Sequence, residues 1–386
     1  MTNSRKRASL PANGGVQKGI TDFARQALKQ GAFDAVLIPC RVPAGDSFAY
    51  FLTRDEAFLK GAFPLPPIMP VQGATVVSSI TRRGKGKNRI AAIMRPCEVR
   101  AAIELAKLAQ VDLENITLIT MDCPGVIPLS SYFEGAEKGD KVFTDAWQNW
   151  NSEPMRSVCQ ICDKFSASGA QDLHIGTLGI KSDTILLIPN SSKGEDVLNK
   201  LGLSPEGSLS DWEAIVNKLT EERKQKRKQS NQALRRDIEG MDRLAQAFGT
   251  CINCHNCMRV CPICYCRQCH FDSDNVKFSF EDYITRAEAR GGLLVPADTL
   301  LFHIGRMLHM SLSCVSCGMC EDACPVAIPV AQIFTLVGDR NQEAFGYVPG
   351  VSVDEPLPLR TFEEEEFLEV EQSYAGVSAR QENLND

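Results

Sequence analysis

The sequence predicts an α/β domain followed by a mostly helical domain that is rich in cysteine. Three continuous apolar runs in the first half, two of them followed by helical patterns, are typical of buried strands in a layered α/β structure. Two cysteine runs of the form C-x2-C-x2-C-x3-C-P occupy the second half. Helical patterns at 280–290 and 296–312 fill the segment between these runs.

Length and composition set limits for this organisation. The 386 residues leave room for two or three domains, and the net charge of −6, without a basic stripe, gives no indication of nucleic-acid binding. No apolar run is long enough to predict a membrane span, and no apolar stretch follows the basic N-terminus as in a signal peptide. The 16 cysteines cluster in metal-binding patterns, so we expect a reducing cytoplasm.

The first element is a glycine-rich turn that opens a helix. Asn13, Gly14 and Gly15 form the turn, and Gly19 lies on the helix behind it. Backbone N–H groups at such a turn suit a phosphate-bearing cofactor, but the same glycines also serve ordinary turns. The turn by itself leaves both interpretations open.

Each of the three predicted strands, at 35–40, 90–97 and 116–123, ends in a cysteine. Because ligands of α/β sheets bind outside the carboxyl ends of the strands, we expect these thiols at one edge. A C-x2-C pair further on could complete a four-thiolate metal centre; buried apolar cysteines and a redox-active pair are the alternatives. The thiols concerned are Cys40, Cys97, Cys123, Cys159 and Cys162.

The two cysteine runs have the spacing of bacterial two-cluster ferredoxins, in which the fourth cysteine of each run ligates the other 4Fe-4S cluster. This crossing assigns Cys251, Cys254, Cys257 and Cys324 to one cluster. It assigns Cys314, Cys317, Cys320 and Cys261 to the second. Zinc knuckles and a disulfide framework are the alternatives, but neither needs the crossing cysteine before proline. The spacing therefore predicts a protein that carries electrons.

Three further thiols, Cys264, Cys266 and Cys269, exceed the number of ligands that two clusters need. Local packing, ligation of a further cluster and substitution for a ligand of the first run all remain open. His303 and His309 lie six residues apart on a predicted helix and do not share a face, so we expect core or surface histidines.

A long helical pattern at 211–236 joins the two halves, with one apolar side and a strongly basic centre. We interpret it as a solvated linker helix, with a docking surface for an acidic partner as the alternative. Beyond residue 333 the chain turns acidic and proline-bearing, which predicts a mostly extended tail that is disordered or lies across a partner subunit.

The first half resembles the beta subunit family of coenzyme F-420 hydrogenases and dehydrogenases over about residues 10–235. The resemblance rests on Asn13-Gly14-Gly15, Pro96-Cys97, Cys123 and the segment from Cys159 to Gly176. It implies FAD near the glycine segment and a third 4Fe-4S cluster beside the flavin. The implied flavin contacts are Asn13, Gly14, Gly15, Gly19 and Gly176. The implied ligands of the third cluster are Cys97, Cys123, Cys159 and Cys162, whereas Cys40 matches no position of the family.

The second half resembles the α-helical ferredoxin arrangement of succinate dehydrogenase and heterodisulfide reductase subunits, because about 50 residues separate its cysteine runs. The extension after Cys261 resembles the first cluster run of formate dehydrogenase beta subunits. We therefore predict an α/β flavin domain followed by a mostly α-helical ferredoxin-like domain with two 4Fe-4S clusters. The predicted boundaries are 1–210 for the FAD and iron–sulfur domain, 211–245 for the helical linker, 246–335 for the ferredoxin-like domain and 336–386 for the acidic tail.

The resemblance implies an iron–sulfur flavoprotein electron-transfer subunit of a formate dehydrogenase-type complex. Electrons would pass between a catalytic alpha-type subunit, the 4Fe-4S clusters, FAD and coenzyme F-420 as the soluble two-electron carrier. The alternatives are NAD(P)H as carrier, a heterodisulfide reductase-like complex as partner, a flavin-free electron wire and a free-standing reductase. The basic residues between 82 and 89 suit any anionic carrier. No nucleophile–base pair is evident, so we predict no catalytic side chain.

Overall fold

The computed structural model of the chain describes residues 7–167, 169, 171–179 and 183–361. A mixed sheet forms the core of the first half. Its strands in these residues are β1 (Ala8–Pro11), β2 (Ala35–Arg41), β3 (Phe48–Thr53), β4 (Ile90–Ile93), β5 (Ile116–Met121), β6 (Leu173–Gly176) and β7 (Thr184–Pro189). They lie side by side in the order β1-β7-β6-β5-β4-β2-β3.

The centre of the sheet is parallel, since β2, β4, β5 and β6 all run in one direction. β7 is antiparallel to β6 and β1 is antiparallel to β7, so β1 again points the same way as the central strands. These five strands therefore end at one edge of the sheet, which we call the carboxyl edge. The three predicted strands are confirmed, although β4 and β5 end before Cys97 and Cys123.

Helices cover both faces of the sheet and dominate the second half. They are α1 (Val16–Lys29), α2 (Gly73–Thr81), α3 (Pro96–Lys107), α4 (Leu129–Phe133), α5 (Ala136–Gln148), α6 (Ser157–Gln160), α7 (Ser192–Lys200), α8 (Ser210–Ile238), α9 (Met241–Ala247), α10 (Asn256–Arg259), α11 (Phe280–Arg290), α12 (Thr299–Met310), α13 (Met319–Asp322) and α14 (Val330–Ala344). The helices predicted at 280–290 and 296–312 are confirmed as α11 and the slightly shorter α12.

Alternation along the central strands explains the two helical layers. Ile93 and Ile119 pack with Phe23 of α1 on one face of the sheet. Leu118, the neighbour of Ile119 on β5, packs with Val99 of α3 on the other face. Strands buried on both faces carry apolar residues at every position, and this is why the sequence reads there as continuous apolar runs.

Helix α8 packs against the protein through one side, whereas most of its basic centre is exposed as predicted; its role as a linker stays a prediction. Trp212 is buried beside β6 and β7. Arg223 is also buried, with its guanidinium 4.2 Å from the ring centre of Phe165. Leu234, near the end of the helix, packs into the core of the second half. The arginines that made the helix look basic and solvated thus include side chains that face inward.

The predicted extended tail begins later than expected. Residues 336–344 belong to α14, because Ile333, Phe334 and Leu336 are buried against the core of the second half. Residues 354–386 form a unit separate from 1–353, and the described part of that unit contains a short 3-10 turn at Pro358–Arg360. The acidic segment 362–386 lies outside the described residues. Among the described helices, none is both long and apolar enough to cross a membrane.

Candidate functional site

The sequence predicts three groups of four cysteines, and we name these groups by their members. Set A comprises Cys251, Cys254, Cys257 and Cys324. Set B comprises Cys261, Cys314, Cys317 and Cys320. Set C comprises Cys97, Cys123, Cys159 and Cys162.

Electrostatic coupling shows that members of each set are neighbours. In set A, burial raises the pKa of Cys257 to about 11, and the other three thiols of the set add to this rise. In set B, burial and the other three thiols raise the pKa of Cys320 well above its ordinary value. In set C, burial and then Glu98 raise the pKa of Cys97, followed by Cys317 of set B and then by Cys123 and Cys159 of its own set. Thiols that raise one another's pKa in this way favour a bound cation that stabilises the thiolates.

The loops that carry sets A and B repeat one backbone conformation. The residue two places after the first cysteine has a left-handed φ in both runs, 55° at Asn253 and 56° at Ser316. The residue four places after it does so too, with 59° at His255 and 80° at Gly318. Left-handed residues of this kind form concave nests of N–H groups that are found at many iron–sulfur sites.

Nitrogen donors point at sulfur in sets A and C. The Asn253 backbone N–H donates to Cys251 Sγ at 3.4 Å, and the Ile328 N–H donates to Cys324 Sγ at the same distance. In set C, Arg95 is buried and donates from Nη1 to Cys123 Sγ at 3.0 Å. Sulfurs that receive N–H and guanidinium donors are in surroundings that suit thiolate ligands of iron.

The residues present therefore fit iron–sulfur clusters in their chemistry. Within the described ranges, no group of three or more His, Cys, Asp or Glu side chains is disposed to hold a metal ion. The 4Fe-4S assignments rest on cysteine spacing and on the neighbours of each thiol, and they stay predictions.

Set B lies directly against set C. Cys317 packs in one apolar cluster with Cys97 and Cys159. Arg156, next to α6, is buried and donates from Nη1 to the carbonyl oxygen of Cys317 at 3.1 Å. A Cβ on Gly318 would lie 2.8 Å from a methyl carbon of Val158, so the two loops touch through backbone as well as side chains.

A cavity of about 660 Å³ opens at the carboxyl edge beside the start of α1. Its lining includes Gly14 and Gly15, which have left-handed φ values of 93° and 96°, together with Trp147, Thr177 and Gly179. A glycine turn at the start of a helix makes this a fitting place for the phosphates of a dinucleotide. The predicted contact of Asn13 is untested, and this residue lies exposed in the adjoining turn.

Two of the predicted flavin contacts serve packing. A Cβ on Gly19 would lie 2.6 Å from Cβ of Ala12, so this glycine lets α1 approach β1 closely. A Cβ on Gly176 would lie 3.0 Å from Nε1 of Trp212, so this glycine makes room for the indole. Neither residue is among those that line the cavity in the described ranges.

The cavity and set C share a wall. Phe143 and Trp147 line the cavity and pack in the apolar cluster that also contains Cys159. Pro67 also lines the cavity, and the carbonyl oxygen of the preceding Pro66 accepts a hydrogen bond from Arg95. Arg95 thus links the cavity wall to the sulfur of Cys123.

Asp122, which sequence reasoning missed, organises the carboxyl edge. This fully buried carboxylate accepts hydrogen bonds from Ser166, from His174 Nε2 at 3.0 Å and from Trp212 Nε1 at 2.9 Å. It also accepts the N–H groups of Thr177 at 2.6 Å and Leu178 at 3.0 Å. Burial alone would raise the pKa of Asp122, but the hydrogen bonds from His174 and Ser166 outweigh it and the pKa lies below its ordinary value.

The extra thiols and the basic segment lie apart from the cavity. Cys264 Sγ lies 2.7 Å from Met310 Sδ and Cys269 Sγ lies 3.7 Å from Met258 Sδ, whereas Cys266 is exposed. The basic residues at 82–89 precede β4 and therefore lie at the opposite edge of the sheet, where Arg89 pairs with an acidic side chain. Strand direction separates this edge from the cavity, and the suggestion that these residues suit an anionic carrier stays a prediction.

Comparison with known proteins identifies relatives. The F420-dependent formate dehydrogenase subunit beta of Methanocaldococcus jannaschii is 28% identical over 306 residues, which cover 70% of this chain and 75% of that protein. The F420-dependent formate dehydrogenase 1 subunit beta of Methanococcus maripaludis is 27% identical over 385 residues, which cover 88% of this chain and 92% of that protein. No family model matches the chain.

One solved structure is also similar. It is a chain of the F420-reducing [NiFe] hydrogenase complex from Methanosarcina barkeri, with a TM-score of 0.44 and 12% identity, and the match covers 62% of this chain and 95% of that one. The two curated relatives confirm the resemblance predicted from the glycine and cysteine motifs. The chain is therefore similar, over most of its length, to the beta subunits of F420-dependent formate dehydrogenases.

Proposed function

We propose that the chain is the iron–sulfur flavoprotein subunit that transfers electrons between a catalytic formate dehydrogenase alpha-type subunit and coenzyme F-420. The names of the two relatives support the partner and the carrier. The observation that carries the proposal is the continuous packing of the cavity wall, set C and set B. A reducing cytoplasm is the compartment in which such thiolates persist.

The chain would bind four groups. Sets A, B and C would each hold a 4Fe-4S cluster, and the cavity at Gly14 and Gly15 would hold FAD. When bound, the clusters carry single electrons and FAD pairs two of them for hydride transfer to the carrier.

The residues of the protein would position these groups and exclude water from them. Arg95 would orient the Cys123 sulfur while its other donor holds the cavity wall at Pro66. Arg156 would hold the set B loop against α6. The apolar cluster around Met319 keeps water out of the contact between sets B and C.

The first experiment is a measurement of iron, acid-labile sulfide and flavin in one anaerobic preparation of the full chain. We expect about twelve iron atoms and one FAD per polypeptide, which corresponds to three cubanes. About eight iron atoms without flavin would refute the flavin domain and leave a two-cluster electron wire.

A pair of cysteine variants assigns the third cluster. Cys123→Ser removes a member of set C and is expected to lower the iron content by about four atoms. Cys40→Ser is the matched control, because Cys40 lies near the carboxyl end of β2, at the same edge of the sheet, but belongs to none of the sets. Equal iron loss in both variants would contradict the assignment of set C. Reduction of the bound flavin by coenzyme F-420 or by NAD(P)H then decides the carrier.

A further inference from the structure

Helix α12 directs two nitrogen donors at set A. His303 Nε2 lies 3.4 Å from Cys251 Sγ. Arg306, one helical turn further, donates from Nη1 to Cys257 Sγ at 3.0 Å and from Nη2 to the Cys257 carbonyl oxygen at 3.0 Å. Both side chains are almost fully buried, with 1% of His303 and 2% of Arg306 exposed.

Aromatic rings fix the direction of both donors. The imidazole of His303 stacks on Phe248, with 4.0 Å between ring centres and 12° between planes. The guanidinium of Arg306 lies 4.8 Å from the ring centre of Phe334. Because packing against these rings fixes the orientation of the imidazole and the guanidinium, their N–H groups stay directed at the sulfurs.

A buried ring nitrogen without a partner indicates which nitrogen of the His303 imidazole carries the proton. His303 Nδ1 and Arg306 Nε are buried without a hydrogen-bond partner within the described residues. In the neutral ring a proton on Nδ1 would be a buried donor without an acceptor, whereas a proton on Nε2 meets the Cys251 sulfur. His303 is therefore a donor to sulfur.

Set B differs from set A in this respect. Its sulfurs receive backbone N–H groups, such as that of Met319 at Cys317. In the part of the chain that the structure describes, no nitrogen-bearing side chain donates a hydrogen bond to a set B sulfur. Within the described residues, set A therefore has an imidazole and a guanidinium donor, whereas the Arg306 charge acts on Cys261 and Cys320 of set B without a hydrogen bond.

We propose that His303 and Arg306 raise the reduction potential of the set A cluster. The inference rests on the proposed function, because it requires that set A holds a cluster. Adding an electron to a cluster adds negative charge to its thiolates, and N–H donors and a guanidinium charge stabilise that reduced state. His303 and Arg306 are positioning residues that act through Cys251 and Cys257.

The test is a redox titration of the full chain, followed by electron paramagnetic resonance. The set A signal is identified as the one lost in Cys254→Ser. Arg306→Met removes both donors and the charge, and His303→Phe removes the imidazole N–H while keeping a ring to stack on Phe248. His309→Phe is the matched control, because His309 lies exposed on the same helix.

We expect Arg306→Met to shift the set A one-electron equilibrium at least tenfold toward the oxidised cluster, which corresponds to about 59 mV. His303→Phe is expected to shift it in the same direction by a smaller factor. The set C signal serves as the internal reference and should not move, and His309→Phe should match the parent chain.

The outcomes separate the two proposals. Parent-like potentials in both variants, at parent-like iron content, would overturn the inference and leave the proposed function intact. If Arg306→Met loses iron, His303→Phe decides, and an unshifted set A signal in that variant overturns the inference. A parent chain without iron would instead overturn the proposed function.

Discussion

Asp122→Asn should loosen the turn that borders the cavity without removing any thiol. Three N–H groups, from Thr177, Leu178 and Trp212, converge on Oδ2 of Asp122 at 2.6 to 3.0 Å. The Asn side chain can accept these three bonds only if its NH2 group takes the Oδ1 position. Ser166 and His174 would then accept hydrogen bonds at that position instead of donating them.

The magnitude follows from the loss of charge. A hydrogen bond to a charged acceptor contributes about 1.5–3 kcal/mol and a neutral one about 0.5–1.5, so each of the three bonds weakens by about 1 kcal/mol. The total of about 3 kcal/mol corresponds to a roughly 100-fold increase in local opening. Hydrogen exchange of the Thr177 and Leu178 amides, measured by mass spectrometry on the anaerobic protein, reads this opening directly.

Asp196→Asn is the matched control, because Asp196 is exposed on α7 and should leave the exchange of these amides unchanged. Acceleration of less than about threefold in Asp122→Asn would show that the charge of the carboxylate does not hold the turn. The role assigned to Asp122 would then be wrong.

Two further predictions concern the cysteine loops. Gly318→Ala should destabilise the protein by about 2 kcal/mol more than Gly291→Ala, because both glycines have a left-handed φ but only Gly318 has a neighbour within 3 Å of the new Cβ; equal shifts in melting temperature would contradict the contact between loops. Iodoacetamide under native anaerobic conditions should alkylate the exposed Cys266 first and leave the iron content unchanged; iron loss on that first alkylation would show that Cys266 is a ligand.

Local pattern was enough to predict strands β2, β4 and β5 and the cysteine loops, whereas β1, β3 and β6 were not predicted. The segment from Ile116 to Met121 is apolar at every position because both of its faces are covered, and this signal is carried within six residues. The spacing of the cysteine runs is equally local. The repeated left-handed positions at Asn253 and Ser316 follow from that spacing once the loop has formed.

The features that were missed depend on partners far away in the chain. Arg223 and Arg227 look like part of a solvated basic face, yet Arg223 donates to the carbonyl of Cys162 and Arg227 pairs with Asp339 at 2.6 Å. Asp122 likewise accepts a hydrogen bond from Trp212, which lies 90 residues later in the chain. A single sequence carries no signal for such pairs, because charge pattern alone does not distinguish a buried partner from water.

The number of residues in helix α8 fixes the distance between two parts of the structure. Trp212 contacts Asp122 at the carboxyl edge, and Leu234 enters the core that surrounds set A. The 22 residues between them span about 33 Å, and one inserted residue would rotate everything beyond it by about 100°. Natural variation among relatives should therefore accumulate in loops, where length is free, whereas this helical interval keeps its number of residues.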